Sequence, residues 1–97
     1  STDFVKASDG TVLHGLALIY VLRELPEVAA FRIIQETLER ITVQIVTDSS
    51  DTEALERTIT GQFRRRLGDS LIVNYEYVTN IEREKSGKFR YVVSRLA

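Results

Sequence analysis

The length, composition and charge of the chain indicate one small globular domain, since 97 residues with 43% hydrophobic and 28% charged content are ordinary for a soluble fold. A formal net charge of −1 excludes the basic footprint typical of nucleic-acid-binding proteins, and the absence of cysteine excludes disulfides, thiolate metal sites and a cysteine nucleophile. The longest apolar run, Leu16 to Leu22, is too short to span a membrane, so we expect no membrane partner. The lack of cysteine fits a cytoplasmic protein, and the net charge predicts no nucleic-acid partner.

The first predicted elements are a β-hairpin and a helix. Asp9-Gly10 lies between the apolar-containing segments 4–7 and 11–13, a pattern typical of a short hairpin. Residues 16–25 fit either a buried strand or a helix. The length of the run and the stop that Pro26 imposes on it favour the helix.

Two strands joined by a short turn come next. In residues 40–47 the apolar side chains of Ile41, Val43 and Ile45 alternate with polar ones, so one face of this strand is buried and the other is wet. Residues 30–36 show a weaker alternation and predict the neighbouring strand.

Residues 50–67 are the clearest helix. Ser50 with Glu53 predicts a capping box, which would satisfy backbone N–H groups of the first turn, and Gly68 supplies the C-terminal stop. The apolar stripe of this helix consists of residues four apart: Leu55, Ile59, Phe63 and Leu67. Strands over 71–78 and 88–94 complete the chain.

This order of elements predicts an α+β fold, with a small, mainly antiparallel sheet, two helices on one face of it, and an N-terminal β-hairpin. No repeat, low-complexity segment or interior linker divides the chain, so residues 1–97 are expected to form a single domain. The order is also ferredoxin-like, and folds of that kind serve many unrelated functions.

Side chains that could carry chemistry are few. His14 is the only histidine and has no metal-ligand spacing around it, so we interpret it as a packing or capping residue and expect no metal site. Arg64-Arg65-Arg66 is a candidate phosphate clamp, but cations are favoured in the last turn of a helix by its dipole, and a solvated helix end is the preferred interpretation. Tyr75 and Tyr77 are interpreted as sheet-packing residues rather than as a base-stacking platform.

The segment Ser86-Gly87-Lys88 joins a charged loop to the last predicted strand. Gly87 permits a turn that a Cβ would hinder, and Lys88 follows it at the mouth of the strand, where its ammonium could be aimed at an anion. Residue type alone favours the alternative, a surface lysine at the start of a strand.

Several motifs together resemble a known family. Ser86-Gly87-Lys88-Phe89-Arg90 resembles the closing motif of the adenylate-forming ligases, which typically reads Ser/Thr-Gly-Lys with an arginine shortly after it. The Asp9-Gly10 hairpin followed by Val12-Leu13-His14-Gly15 resembles the segment after that family's hinge. The segments 31–36 and 38–43 resemble the two central strands of the phenylacetate–coenzyme A ligase branch, including its relatives in capsular-polysaccharide biosynthesis.

This resemblance implies that residues 1–97 are the small C-terminal lid domain of an ATP-dependent carboxylic acid–coenzyme A ligase. In that family an N-terminal adenylation domain of the same polypeptide binds ATP, Mg²⁺ and a small carboxylic acid, so the isolated lid is expected to be inactive. The proline often found ahead of the closing motif is absent here, and 81–84 reads Ile-Glu-Arg-Glu in its place.

The resemblance also implies roles for individual residues. Lys88 is the expected catalytic residue, brought near the carboxylate and the α-phosphate during adenylate formation. The lid then rotates and presents its hairpin to coenzyme A, the expected thiol acceptor. The residues expected to bind cofactor are Ser8, Asp9, Gly10 and Thr11 of the hairpin, together with Ser86 and Gly87 of the closing motif.

An alternative hypothesis comes from a different class of protein. The ferredoxin-like order and the absence of a self-contained site also fit a free-standing interaction or small-ligand regulatory module that forms a homodimer through a sheet face. A large adenylation domain encoded upstream would favour the ligase hypothesis, and a stable homodimer in solution would favour the alternative.

Overall fold

Two helices and six strands follow one another along the residues that the computed structural model describes, which are 4–83, 85–87 and 90–96. The strands are β1 (Phe4–Lys6), β2 (Val12–His14), β3 (Ala30–Thr37), β4 (Arg40–Val46), β5 (Ile72–Tyr77) and β6 (Val92–Ser94). The helices are α1 (Leu16–Arg23) and α2 (Thr52–Leu67). Within these described ranges, neither helix is long and apolar enough to cross a membrane.

The predicted N-terminal hairpin is confirmed. Strands β1 and β2 pair antiparallel, with Val5 opposite Leu13. Gly10 closes the turn at φ +89°, a left-handed conformation that strongly favours glycine. The Asp9 carboxylate accepts a hydrogen bond from the Thr11 N–H at 2.9 Å, which stiffens the same turn.

The second sheet is mixed, and this corrects the expectation of a mainly antiparallel sheet. Its order is β5-β4-β3-β6, in which β3 and β4 are antiparallel, while β4–β5 and β3–β6 are parallel. Helix α2 carries the chain back along the sheet between β4 and β5, so β5 starts at the same end as β4. Alternation along a strand reveals its buried face but not the direction of its neighbour. The predicted α+β class is confirmed.

One core cluster holds the helices and the sheet together. Both helices contribute to it together with alternating positions of β3 and β4, as expected of two helices that cover one face of the sheet. The stripe predicted on α2 is fully in this core. The core residues of β3, β4 and α2 are each at most 4% exposed: Phe31, Ile33, Ile41, Val43, Ile45, Leu55, Ile59, Phe63 and Leu67.

The ends of several elements differ from the sequence prediction, most clearly the starts of α2 and β6. The N-cap of helix α2 lies one residue later than predicted: it is Asp51 rather than Ser50, and it accepts a hydrogen bond from the Ala54 N–H at 3.2 Å. Both residue types cap well, and the later start leaves no role for the predicted Ser50–Glu53 box. The last strand, β6, begins at Val92 rather than at the predicted Lys88, because Arg90 and Tyr91 are described and lie outside it. Lys88 and Phe89 lie outside the described residues.

Candidate functional site

The hairpin turn is fixed against the C-terminal end of α2. The Ser8 N–H donates a hydrogen bond to the Leu67 carbonyl at 3.0 Å. Gly68 approaches the same serine so closely that an added Cβ would lie 2.5 Å from Ser8 Oγ, and its φ of +117° independently favours glycine. Gly68, predicted as the helix stop, therefore also leaves room for the hairpin turn that is predicted to bind cofactor.

This contact brings the three consecutive arginines beside the hairpin turn. An open cleft of about 350 Å³ separates them, lined by Ser8 and Asp9 on one side and by residues 64–69 on the other. The sequence predicts a solvated helix end at Arg64-Arg65-Arg66, and all three side chains are indeed exposed. Their proximity to Ser8 could not be read from the sequence, because it depends on how the hairpin packs on the helix.

The three arginines are not equivalent. Arg64 donates through Nε to the Leu71 carbonyl at 2.9 Å, and Arg66 donates to both the carbonyl and the side-chain oxygen of Gln62. Arg65 makes no ion pair or hydrogen bond with any described residue outside the helix backbone. Of the three guanidinium groups, that of Arg65 is therefore the least committed among the described residues, with all its N–H donors available to an incoming anion.

Two acidic residues partly offset this positive charge. Asp9 and Asp69 both line the cleft. Hydrogen bonds from the backbone N–H and then the hydroxyl of Thr11 hold the pKa of the Asp9 carboxyl below its usual value. Three guanidinium groups face two carboxylates, so the cleft retains an excess of positive charge.

The Arg32 side chain of β3 binds the loop that precedes β6. Arg32 donates through its terminal nitrogen to the Glu82 carbonyl at 2.6 Å and through Nε to the Arg90 carbonyl at 3.1 Å. The Glu82 carbonyl precedes the closing motif in the sequence, and the Arg90 carbonyl belongs to its last residue. In the sequence, Arg32 is only a polar residue of a predicted strand, and none of its neighbours in sequence indicates that it binds a distant loop.

The closing motif is only partly within the described residues. Ser86 and Gly87 are exposed, and Gly87 has φ +82°, as expected of a turn that favours glycine. The Arg83 side chain donates to the Gly87 carbonyl at 3.4 Å. Lys88, the predicted catalytic residue, lies outside the described residues, and its role stays a prediction.

A second open cleft, of about 500 Å³, lies near this loop. Its lining combines apolar side chains of α1 and β3 with Arg23, Arg83 and Tyr91. The Arg23 guanidinium lies 4.8 Å from the centre of the Tyr91 ring, which itself packs against Phe31 at 5.1 Å between centroids. Ring and cation hold one another in place here.

The remaining candidates have structural roles. His14 Nδ1 accepts a hydrogen bond from the Leu16 N–H at 3.1 Å, and its ring packs edge-on against Phe4, so the packing and capping interpretation is confirmed. Tyr75 bonds the Thr60 hydroxyl and the Glu56 carbonyl of α2, and Tyr77 donates to the Glu56 carboxylate at 2.6 Å. Among the residues described, no group of acidic or histidine side chains has the arrangement of a metal site.

Several solved structures share this fold, two of them from coenzyme A ligases. One is a domain of phenylacetate-coenzyme A ligase from Bacteroides vulgatus, with a TM-score of 0.66, 20% identity, and coverage of 98% of this chain and 94% of that chain. The other is an open conformation of 2-hydroxyisobutyryl-CoA ligase in complex with 2-HIB-AMP and CoA, with a TM-score of 0.66 and 14% identity. The match to that ligase covers 94% of this chain but only 21% of the ligase chain.

Sequence comparison assigns the family. No curated protein matches the sequence significantly. The model of the CapK C-terminal domain family matches residues 5–95, which is nearly the whole chain. Together with the two structures, this match confirms the resemblance to the phenylacetate–coenzyme A ligase branch. The chain belongs to the CapK C-terminal domain family.

Proposed function

We propose that residues 1–97 form the C-terminal lid of an ATP-dependent carboxylic acid–coenzyme A ligase and act with an adenylation domain that precedes them in the same polypeptide. The family match and the fold shared with domains of two coenzyme A ligases support this assignment. The observation that carries it is the contact of Ser8 with Leu67, which places the hairpin turn beside Arg64-Arg65-Arg66.

The turn and the arginines together suit coenzyme A as the acceptor. Coenzyme A joins an anionic, phosphate-bearing end to a slender thiol arm, so its site needs positive charge beside a surface that the arm can approach closely. Arg65 supplies an uncommitted guanidinium, which binds phosphate oxygens in a bidentate manner. Gly10 carries no side chain, and nothing lies within 4 Å of the position its Cβ would take.

Lys88 is proposed to act in the earlier half-reaction. When an adenylate forms, a carboxylate must approach the α-phosphate, and a positioned ammonium lowers the repulsion between these two anions. ATP, Mg²⁺ and the carboxylic acid would be held by the preceding domain. Rotation of the lid would then exchange the closing motif for the hairpin turn at the reaction centre.

The two half-reactions of the full-length parent protein test this proposal. Lys88→Ala should lower acid-dependent pyrophosphate exchange by about 10²-fold or more, the usual loss when one charge-stabilising group is removed. Arg65→Ala should leave that exchange unchanged but raise the KM for coenzyme A, because the arginine is assigned to the acceptor alone.

Matched controls separate these roles from general loss of charge. Lys85→Ala removes an exposed lysine of the same loop, and Arg57→Ala removes an exposed arginine of the same helix. Neither control should change either half-reaction. Unchanged pyrophosphate exchange in Lys88→Ala would refute the catalytic assignment. An unchanged KM for coenzyme A in Arg65→Ala would refute the acceptor cleft.

A further inference from the structure

The outward face of the N-terminal hairpin exposes apolar side chains. Phe4 and Val12 are each 57% exposed, more than any other large hydrophobic side chain in the described part of the chain. Strand register places Phe4 opposite His14 and Val12 opposite Lys6, all on this one side. We call these four residues the outer hairpin face.

The hairpin does not need this face in order to fold. Its inner residues, Val5 and Leu13, pack on the core, and Val5 is fully buried. Side chains alternate between the faces of a strand, so Phe4 and Val12 must point the other way. Apolar side chains left together at the surface are typical of an interaction site, because they gain free energy only when something covers them.

We propose that the outer hairpin face docks onto the domain that precedes this one in the parent polypeptide. The inference rests on the proposed function, which makes residues 1–97 a C-terminal lid. The matching family is one of C-terminal domains, so in its members the remainder of the polypeptide comes before β1. In the 2-hydroxyisobutyryl-CoA ligase, the matched part is only 21% of the chain, which leaves a large body available as the partner.

The position and charge of the face indicate the kind of surface that it meets. Phe4 is the first residue of β1, so the chain that links the two domains arrives beside the face itself. A short connection keeps this face at a high effective concentration near the preceding domain. Lys6 adds one positive charge beside Val12, so the complementary surface is an apolar patch with a carboxylate at its rim.

A cysteine reporter tests docking in the full-length parent protein. This domain has no cysteine, so Val12→Cys introduces one thiol into it once any cysteines of the preceding domain have been replaced. The matched control is Ile72→Cys, at an exposed outward position of β5 where the native side chain is 43% exposed. Labelling by a small thiol reagent is timed without substrate, with ATP and acid, and with coenzyme A added.

Docking predicts slower labelling of the Val12→Cys thiol than of the Ile72→Cys thiol in at least one of these states. The expected difference is about tenfold, which corresponds to a face that is covered about 90% of the time. Equal labelling of the two variants in every state would overturn the proposal. Protection that disappears on dilution would also overturn it, since a second copy of the protein would then be the occupant.

The result does not depend on catalysis. Labelling without substrate reports docking even if Lys88→Ala leaves pyrophosphate exchange unchanged. The docking inference and the proposed function can therefore fail separately.

Discussion

The side-chain amide of Gln35 binds both backbone groups of Lys6. The Lys6 N–H donates to Gln35 Oε1 at 2.9 Å, and Gln35 Nε2 donates to the Lys6 carbonyl at 2.9 Å. Gln35 is fully buried, and its own carbonyl accepts a hydrogen bond from the Arg95 N–H just after β6. One residue of β3 thus connects the hairpin to the end of the last strand. We expect the hairpin turn and the closing motif to move as one body.

Replacing Gln35 should loosen the hairpin. Gln35→Leu keeps the volume but leaves two backbone groups of β1 without partners, so we expect a loss of about 1–3 kcal/mol in the free energy of unfolding. Gln44→Leu is the matched control, because among the described residues the Gln44 amide bonds only the exposed Glu76 side chain and should matter little. Denaturant unfolding of both variants measures the difference, and equal stabilities would contradict this role for Gln35.

Two glycines of the chain should respond oppositely to alanine. Gly68→Ala should destabilise the domain by about 1–2 kcal/mol, since φ is +117° and the new Cβ would press on Ser8 Oγ. Gly61 lies within α2 with nothing within 4 Å of the added Cβ, so Gly61→Ala should stabilise it by about 0.5–1 kcal/mol.

Thermal unfolding of the two alanine variants measures both changes. Adding Ser8→Ala should recover only part of the Gly68→Ala loss, because it removes the clash but not the unfavourable φ. Full recovery would show that backbone conformation contributes nothing at this position.

Alkaline pH should weaken the contact between β5 and α2. Burial, more than any other cause, raises the pKa of Tyr75 from 10.0 to about 12. The folded state therefore holds this proton more tightly than the unfolded chain. The stability that results is fully present below pH 10 and is lost as the pH rises from 10 towards 12.

Tyr75→Phe tests this linkage, because phenylalanine has no proton to lose. The variant should show a smaller fall in the midpoint of chemical unfolding between about pH 9 and about pH 11.5 than the wild-type protein does. Tyr77 also has a raised pKa, again mainly through burial, so Tyr75→Phe with Tyr77→Phe should flatten the profile further. An identical alkaline fall in all three proteins would contradict the assignment.

The parts of the candidate site that are local in sequence could be predicted. Gly10 and Gly87 have the positive φ angles that their turns require, at +89° and +82°. The roles of Arg32 and Arg65 could not be predicted in this way. Arg32 bonds carbonyls at positions 82 and 90, and Arg65 gains its place from a hairpin near the other end of the chain.

Local pattern in the sequence was sufficient to indicate the helices and strands, the buried side of β4 and α2, and the family that the closing motif resembles. These properties depend on residues two to four positions apart, whose spacing any single segment displays. The tertiary structure alone decided that the sheet is mixed, that the hairpin turn meets three arginines, and that Gln35 joins β1 to β3. Such relationships depend on how crossover connections bring distant segments together. The spacing of apolar residues within one segment does not show which other segment it will contact.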